Sequence, residues 1–202
     1  MNPFAEYRVT SPFGWRNDPF TGERAFHTGI DLVKSHQAPI YAFTAGEVIH
    51  AKEGAPGSGF GGFGIVVAIL DKYGSLHCYC HLDMAAVKVG QYVQQGQMVG
   101  RQGNTGRSTG SHLHYEVRKT HSPKYGWQPG HNHVYDPGEY LKQYYKKEEE
   151  KMKEKQTPSW AVEAQKWVVE QGISDGQRPN DTVTRAEVWT MLYRFAQKTS
   201  RA

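Results

Sequence analysis

Between residues 4 and 140 the chain is written in short alternating runs parted by glycines, and no stretch holds a 3.6-residue apolar period over a useful length. The runs include Gly46 to His50, Gly64 to Leu70, Leu76 to Leu82, Gly96 to Gly100 and His112 to Val117. Many short strands at close spacing, with 22 glycines available to turn them, predict an all-β sheet or sandwich. The longest aliphatic run, Ile65 to Leu70, is too short to cross a bilayer, so no membrane span is expected. Cys78 and Cys80 are the only cysteines, and their spacing excludes a disulfide framework. The net charge is +4, without a dense arginine run or an aromatic RNP-like pattern, so no nucleic-acid partner is expected.

Composition changes after residue 141. Residues 142–155 hold six lysines and four glutamates, with no glycine or proline, and read as a solvated helical linker. Glu149 and Lys153 stand there in the favourable i,i+4 order, and Pro158 punctuates the end. Residues 159–198 read as a small all-α unit. Trp160, Ala164, Trp167 and Val168 would share one helical face, with Gly172 as the stop. Thr184-Arg185-Ala186-Glu187 fits a capping box, and Val188, Leu192 and Phe195 continue the second helix. So small a unit cannot build a robust isolated core, and it is expected to pack on the first domain or to self-associate. The organisation expected is a domain at 1–141, a linker at 142–158 and a helical unit at 159–202.

Three segments carry histidine on what alternation makes the polar face of a strand. His27 and Asp31 are separated by an even step, so one extended strand would put both on one side, opposite Ile30 and Leu32. In Leu76-His77-Cys78-Tyr79-Cys80-His81-Leu82, alternation groups His77, Tyr79 and His81 against the cysteines and leucines. The cysteines therefore read as small core residues. In His112-Leu113-His114-Tyr115-Glu116-Val117, the two histidines and Glu116 oppose Leu113, Tyr115 and Val117, and Glu116 is placed to orient a ring nitrogen. A single histidine in a β-protein is most often structural or exposed, but three such segments make coincidence a poor account. Imidazole and carboxylate are ordinary zinc ligands, and a catalytic zinc takes three protein ligands and leaves one position for water. The remaining histidines could move protons or hold an oxyanion.

Taken in order, these segments resemble the lysostaphin-type (LytM-like) zinc peptidases of bacterial cell walls. The resemblance runs from about Thr10 to Val117. It is carried by Ser11-Pro12-Phe13-Gly14-Trp15-Arg16, Phe26-His27-Thr28-Gly29-Ile30-Asp31, His81-Leu82 and the stretch from Gly100 through Ser111-His112-Leu113-His114 to Glu116. The resemblance implies one catalytic Zn²⁺ held by His27, Asp31 and His114, with His81 and His112 as the catalytic pair. Which of the two is the base stays open. The implied fold is mainly β, an antiparallel sheet with a loop-framed groove. Gly54 to Gly64 would form one groove loop and residues 118–135, with His121, Tyr125, Trp127, His131 and His133, another. His131-Asn132-His133 is read as loop rather than a second metal site, because no alternating strand is expected after it. Tyr125 and Trp127 read either as substrate contacts or as exposed packing.

The helical unit resembles one S-layer-homology repeat through Trp160-Ala161, Gly172 to Gly176, Pro179-Asn180 and Val183 to Glu187. That implies a secondary cell-wall polysaccharide as a partner, with Asp175 and Arg185 as candidate contacts. Proteins of this type usually carry several repeats, so a single one would need a homo-oligomer for avidity. Peptidase, charged linker and wall-binding unit together resemble a phage endolysin, or in a nearer variant an autolysin, acting on peptidoglycan cross-link peptides. The repeat favours, by association, a D-alanyl–diaminopimelate bond over polyglycine. The N-terminus offers no secretory signal and no segment to cover the zinc. An open site is therefore expected, reached by phage-type release from the host cytoplasm or as a secreted mature form. The competing function is a non-catalytic wall-binding or regulatory module. A lipoyl-type carrier fits poorly, because Gly103-Asn104-Thr105-Gly106 offers no lysine at its hairpin tip.

Overall fold

The computed structural model describes residues 3–155, 157–177 and 180–199, and the side chains of 153–155 and 199 lie outside the description. Pro179 and the Lys153 side chain, both used above, are therefore outside the described residues. Two compact units divide at Gln143 and Tyr144.

The first unit is built on antiparallel strands. In chain order they are β1 (Arg8–Ser11), β2 (Gly14–Asn17), β3 (Arg24–His27), β4 (Ile30–Val33), β5 (Pro39–Tyr41), β6 (Gly46–Glu53), β7 (Ile65–Leu70), β8 (Leu76–Ala85), β9 (Tyr92–Val93), β10 (Met98–Gln102), β11 (Leu113–Arg118) and β12 (Val134–Tyr135). Ten of them form one sheet with the path β1-β4-β11-β8-β7-β6-β9, while β10 joins β8 to β5 and β12 lies on β11. β2 and β3 make a separate hairpin. The mainly β expectation holds, and the small helical C-terminal part is present.

Register decides which residues meet. Leu113 faces Leu32, and Tyr115 faces Tyr79. These residues pack on one side with Phe43 and Phe4, and the Tyr115 and Phe43 rings stand 4.7 Å apart. His114 faces both Asp31 and Cys80, and Glu116 faces Cys78. On that second side Cys78 and Cys80 join Phe60, Val66, Ala68 and Leu76 in an apolar cluster. Burial pushes the Cys78 thiol up to about 12, and Cys80 well above its ordinary value, so both are inert core residues.

Simple alternation along β8 fails at His81. Its φ is +60°, and its N–H bonds the Phe63 carbonyl at 2.9 Å. The β7–β8 register shifts between Ile65 and Val67. This irregularity turns His81 to the side that carries His114, away from His77 and Tyr79. His77 stays on the other side, fully buried, with Nδ1 at 2.7 Å from the Tyr115 hydroxyl and Nε2 at 3.2 Å from Asp71. Tyr140 also donates to Asp71, at 2.6 Å, and docks the start of α1 (Pro137–Lys155) on the sheet. The expectation of His77 on a polar face is thus corrected: both sides of this strand are covered.

Burial holds His77 below its ordinary value, while the Asp71 contact pulls the other way. The unfolded chain takes up a proton here as pH falls through about 6.5, and the folded chain only at a lower pH, so acidification costs stability. The urea midpoint of the metal-free protein should therefore fall between pH 7 and pH 5, and less steeply in His77→Gln. His50, His81 and His133, also lowered chiefly by burial, carry part of the remaining slope. Equal slopes in the two proteins would contradict this assignment.

The second unit holds α2 (Val162–Glu170) and α3 (Arg185–Thr199). Trp160 is not on α2 as expected; it lies in a 3₁₀ turn, Ser159–Ala161, and is 85% exposed. Gly172, at φ +61°, closes α2, with its N–H on the Val169 carbonyl. The capping box forms: Thr184 N–H donates to Glu187 Oε2 at 2.8 Å, and Glu187 N–H to Thr184 Oγ1 at 3.2 Å. Ile173 is buried, while Trp189 and Leu192 are exposed. A unit of this size has little interior to offer them.

Candidate metal centre

His27 closes β3, in the separate hairpin, and Asp31 lies in β4 of the main sheet. They therefore meet across an interruption between two strands at Thr28-Gly29, not along one strand as alternation suggested. His27 Nε2 stands 3.1 Å from Asp31 Oδ1. Across the β4–β11 register, His114 Nδ1 stands 2.9 Å from the same oxygen and 3.0 Å from His27 Nε2. Gly29 is needed for this approach, since a Cβ there would lie 2.6 Å from the Tyr115 carbonyl and 2.7 Å from the His114 ring.

Each imidazole has one nitrogen committed to an oxygen. His27 Nδ1–H donates to the Pro12 carbonyl at 2.8 Å. His114 Nε2 faces the Glu116 carboxylate at 3.3 Å. His81 Nδ1–H donates to the Thr105 carbonyl at 2.8 Å, and His112 Nδ1–H to the Gly110 carbonyl at 2.7 Å. A carbonyl can only accept, so the opposite nitrogen is left with its lone pair in His27, His81 and His112. His112 Nε2 reaches 3.5 Å from Asp31 Oδ1, and the His81 and His112 rings stand 4.9 Å apart. All five residues expected at the site are therefore brought together. His121, His131 and His133 are not among them; His131 stacks on Phe26 at 4.1 Å.

The electrostatics favour positive charge at this point. Burial alone would raise the Asp31 carboxyl, but the His112, His114 and His27 imidazoles gathered around it hold it well below the carboxylate range. Burial likewise opposes charge on His114, yet Asp31 and Glu116 on either side raise it to about 9. His81 goes the other way, to about 4, through burial and the neighbouring His114 charge. Two ring nitrogens and a carboxylate oxygen at 2.9–3.1 Å call for a cation between them. In a tetrahedral zinc site with bonds of about 2.0–2.1 Å, ligand atoms stand roughly 3.3 Å apart. Little movement separates these residues from that arrangement. His27, Asp31 and His114 are also the group of described residues whose ligating atoms fall within metal-holding distance of one another.

Sequence reading missed three supports. Thr28 Oγ1 donates to Glu116 Oε1. Arg118 donates from Nε to Glu116 Oε2 at 2.8 Å, and its charge is foremost in outweighing burial to hold the Glu116 carboxyl well below its usual range. Thr105 supplies the carbonyl that fixes His81. Arg118 alone had a signal: it is two residues beyond Glu116 on the same strand face. The anticipated loops also took on detail. Tyr125 stacks on Phe60 at 4.6 Å, partly buried against the apolar cluster, while Trp127 is 38% exposed. The expectation that no strand follows His133 is corrected by β12, which pairs Val134 and Tyr135 with β11.

The profile of peptidase family M23 matches residues 25–125, half of the chain. The chain belongs to peptidase family M23. Among curated relatives, this M23 chain is 35% identical over 123 residues to the DD-carboxypeptidase/endopeptidase Mpg of Neisseria meningitidis serogroup B, covering 61% of this chain and 27% of Mpg. It thus spans about a quarter of the length of the curated relatives it first matches. Among solved structures it is similar to the catalytic domain of lysostaphin from Staphylococcus simulans, with TM-score 0.56, 27% identity and coverage of 69% and 95% of the two chains. It is also similar to a zinc containing peptidase from Vibrio cholerae, with TM-score 0.50, 34% identity and coverage of 58% and 36%. The lysostaphin-type fold expected from the sequence is the fold observed.

Proposed function

We propose that this M23 chain is a zinc-dependent endopeptidase that hydrolyses peptide cross-links of bacterial peptidoglycan. The observation that carries the reading is the convergence of His27 Nε2, Asp31 Oδ1 and His114 Nδ1 within 3.1 Å of one another, beside two further imidazoles. The lysostaphin likeness and the DD-carboxypeptidase/endopeptidase name borne by Mpg support the substrate class.

His27, Asp31 and His114 would hold one Zn²⁺, and their chemistry fits it: two imidazoles, a carboxylate and a supporting carboxylate on His114. When bound, the ion supplies Lewis acidity toward the scissile carbonyl and acidifies a water. The Gly110 carbonyl, accepting from His112 Nδ1–H, keeps that ring's Nε2 turned toward the centre, 3.5 Å from Asp31 Oδ1. His81 and His112 move the protons. One accepts the proton of the attacking water at Nε2, and the pair returns a proton to the leaving amine. Their Nδ1–H groups are tied to backbone carbonyls, so neither ring must reorient during the reaction.

The organisation proposed is peptidase at 1–141, linker at 142–158 and wall-binding unit at 159–202, as in an endolysin or autolysin. A cavity of about 870 Å³ within the second unit, lined by Asp175, Gln165 and Arg194 among others, is of a size to take a sugar unit of the secondary wall polysaccharide. Arg185 does not line it; it is the first residue of α3. The favoured bond is D-alanyl–diaminopimelate. Turbidity of purified sacculi should fall with zinc-loaded protein, stop when the metal is chelated and resume on zinc addition. Clearing that is indifferent to chelation would overturn the zinc-dependent reading.

A further inference from the structure

Arg118 heads the fully buried side chains ranked by size, and a buried guanidinium is costly unless it is paired and hydrogen-bonded; Nε and Nη1 are bonded, while Nη2 has no partner among the described residues. Its Nε donates to Glu116. Its Nη1 donates to two carbonyls on two different loops, Gly59 at 3.0 Å and Tyr125 at 3.2 Å. Its plane lies over Phe60, 4.6 Å from the ring centre, and 5.4 Å from Phe63. Glu116, in turn, faces His114 Nε2 and accepts from Thr28, the residue after His27. The loops also touch directly: a Cβ on Gly59 would lie 2.0 Å from the Lys124 carbonyl.

We propose that Arg118 is a positioning residue that couples both groove loops, residues 54–64 and 119–133, to the orientation of the His114 imidazole. A residue that only filled space would not divide its donors among Glu116 and two loops. A residue that only neutralised Glu116 would need no fork reaching past it. The planar guanidinium can do both at once, and a lysine ammonium cannot. Substrate seated between the loops is thereby mechanically linked to the metal-facing ring. The proposal rests on the zinc-peptidase reading, in which His114 is a ligand.

The test compares wild type with Arg118→Lys and Arg118→Met. In metal-free protein, backbone exchange should accelerate about tenfold or more in both loops while β7 and β8 stay protected, and the His114 ring-nitrogen shifts should move. Zinc Kd, read by chelator competition, should weaken roughly 10–100-fold in Arg118→Met, with the accompanying activity loss in kcat rather than KM. Arg118→Lys should recover part of the zinc affinity but not the loop protection. Full recovery of both by lysine, or loosening of one loop alone, would overturn the proposal. Should the methionine variant fail to fold, the lysine variant decides by the same two readouts. A wild type that binds no zinc would overturn the metal reading instead, while the exchange and ring-shift arms still judge the coupling.

Discussion

A His114→Ala chain is expected to lose zinc binding and peptidoglycan hydrolysis together. His114 is the central member of the cluster: its Nδ1 faces Asp31 and His27, and its Nε2 faces Glu116. Losing only a supporting partner of a metal-bound histidine costs roughly 10–100-fold in affinity, and losing the ligand should cost more. Stability falls too, because Asp31 and Glu116 each lose a partner in a low-dielectric setting. Breaking such a buried arrangement costs about 3–5 kcal/mol. Calorimetric zinc titration, with thermal unfolding of the same samples, checks both effects. Zinc bound with wild-type affinity by a folded His114→Ala chain would remove His114 from the ligand set.

Replacing His112 with alanine should give the opposite separation, with zinc retained and turnover lost. His112 Nε2 approaches Asp31 Oδ1 only to 3.5 Å, farther than His27 or His114, so its removal leaves the three ligand atoms in place. General acid–base catalysis contributes typically about 10²–10⁴-fold, which sets the expected fall in kcat. KM should change little. His81→Ala should behave alike. The double variant should be barely slower than the worse single one, because two groups moving one proton act as a unit. Zinc loss in His112→Ala as complete as in His114→Ala would make His112 a ligand and undo the division of roles.

The residue types of the site were legible in the sequence, and the paths that bring them together were only partly so. In β11 the period of two held without interruption, so His114 and Glu116 fell on one face and Leu113 and Tyr115 on the other. In β8 one positive φ at His81 undid the same reasoning, and nothing local marks that residue as special. His27 and Asp31 look like neighbours on a strand but belong to different sheets, since the extended run is interrupted at Thr28-Gly29. Pro12 and Thr105 act through backbone carbonyls, which have no side-chain signature at all. In the helical unit, apolar spacing was present but misled at Trp160, where the helix had not yet begun.

The most direct test of the central claim is the release of new amino termini from peptidoglycan of a diaminopimelate-type bacterium, with the fragments identified by mass spectrometry. Zinc-loaded wild type should release amines at the D-alanyl–diaminopimelate bond, and zinc-loaded His112→Ala should release almost none. No release by the wild type, with zinc bound and several cross-link chemistries tried, would contradict the peptidase reading and leave a wall-binding module with a structural metal.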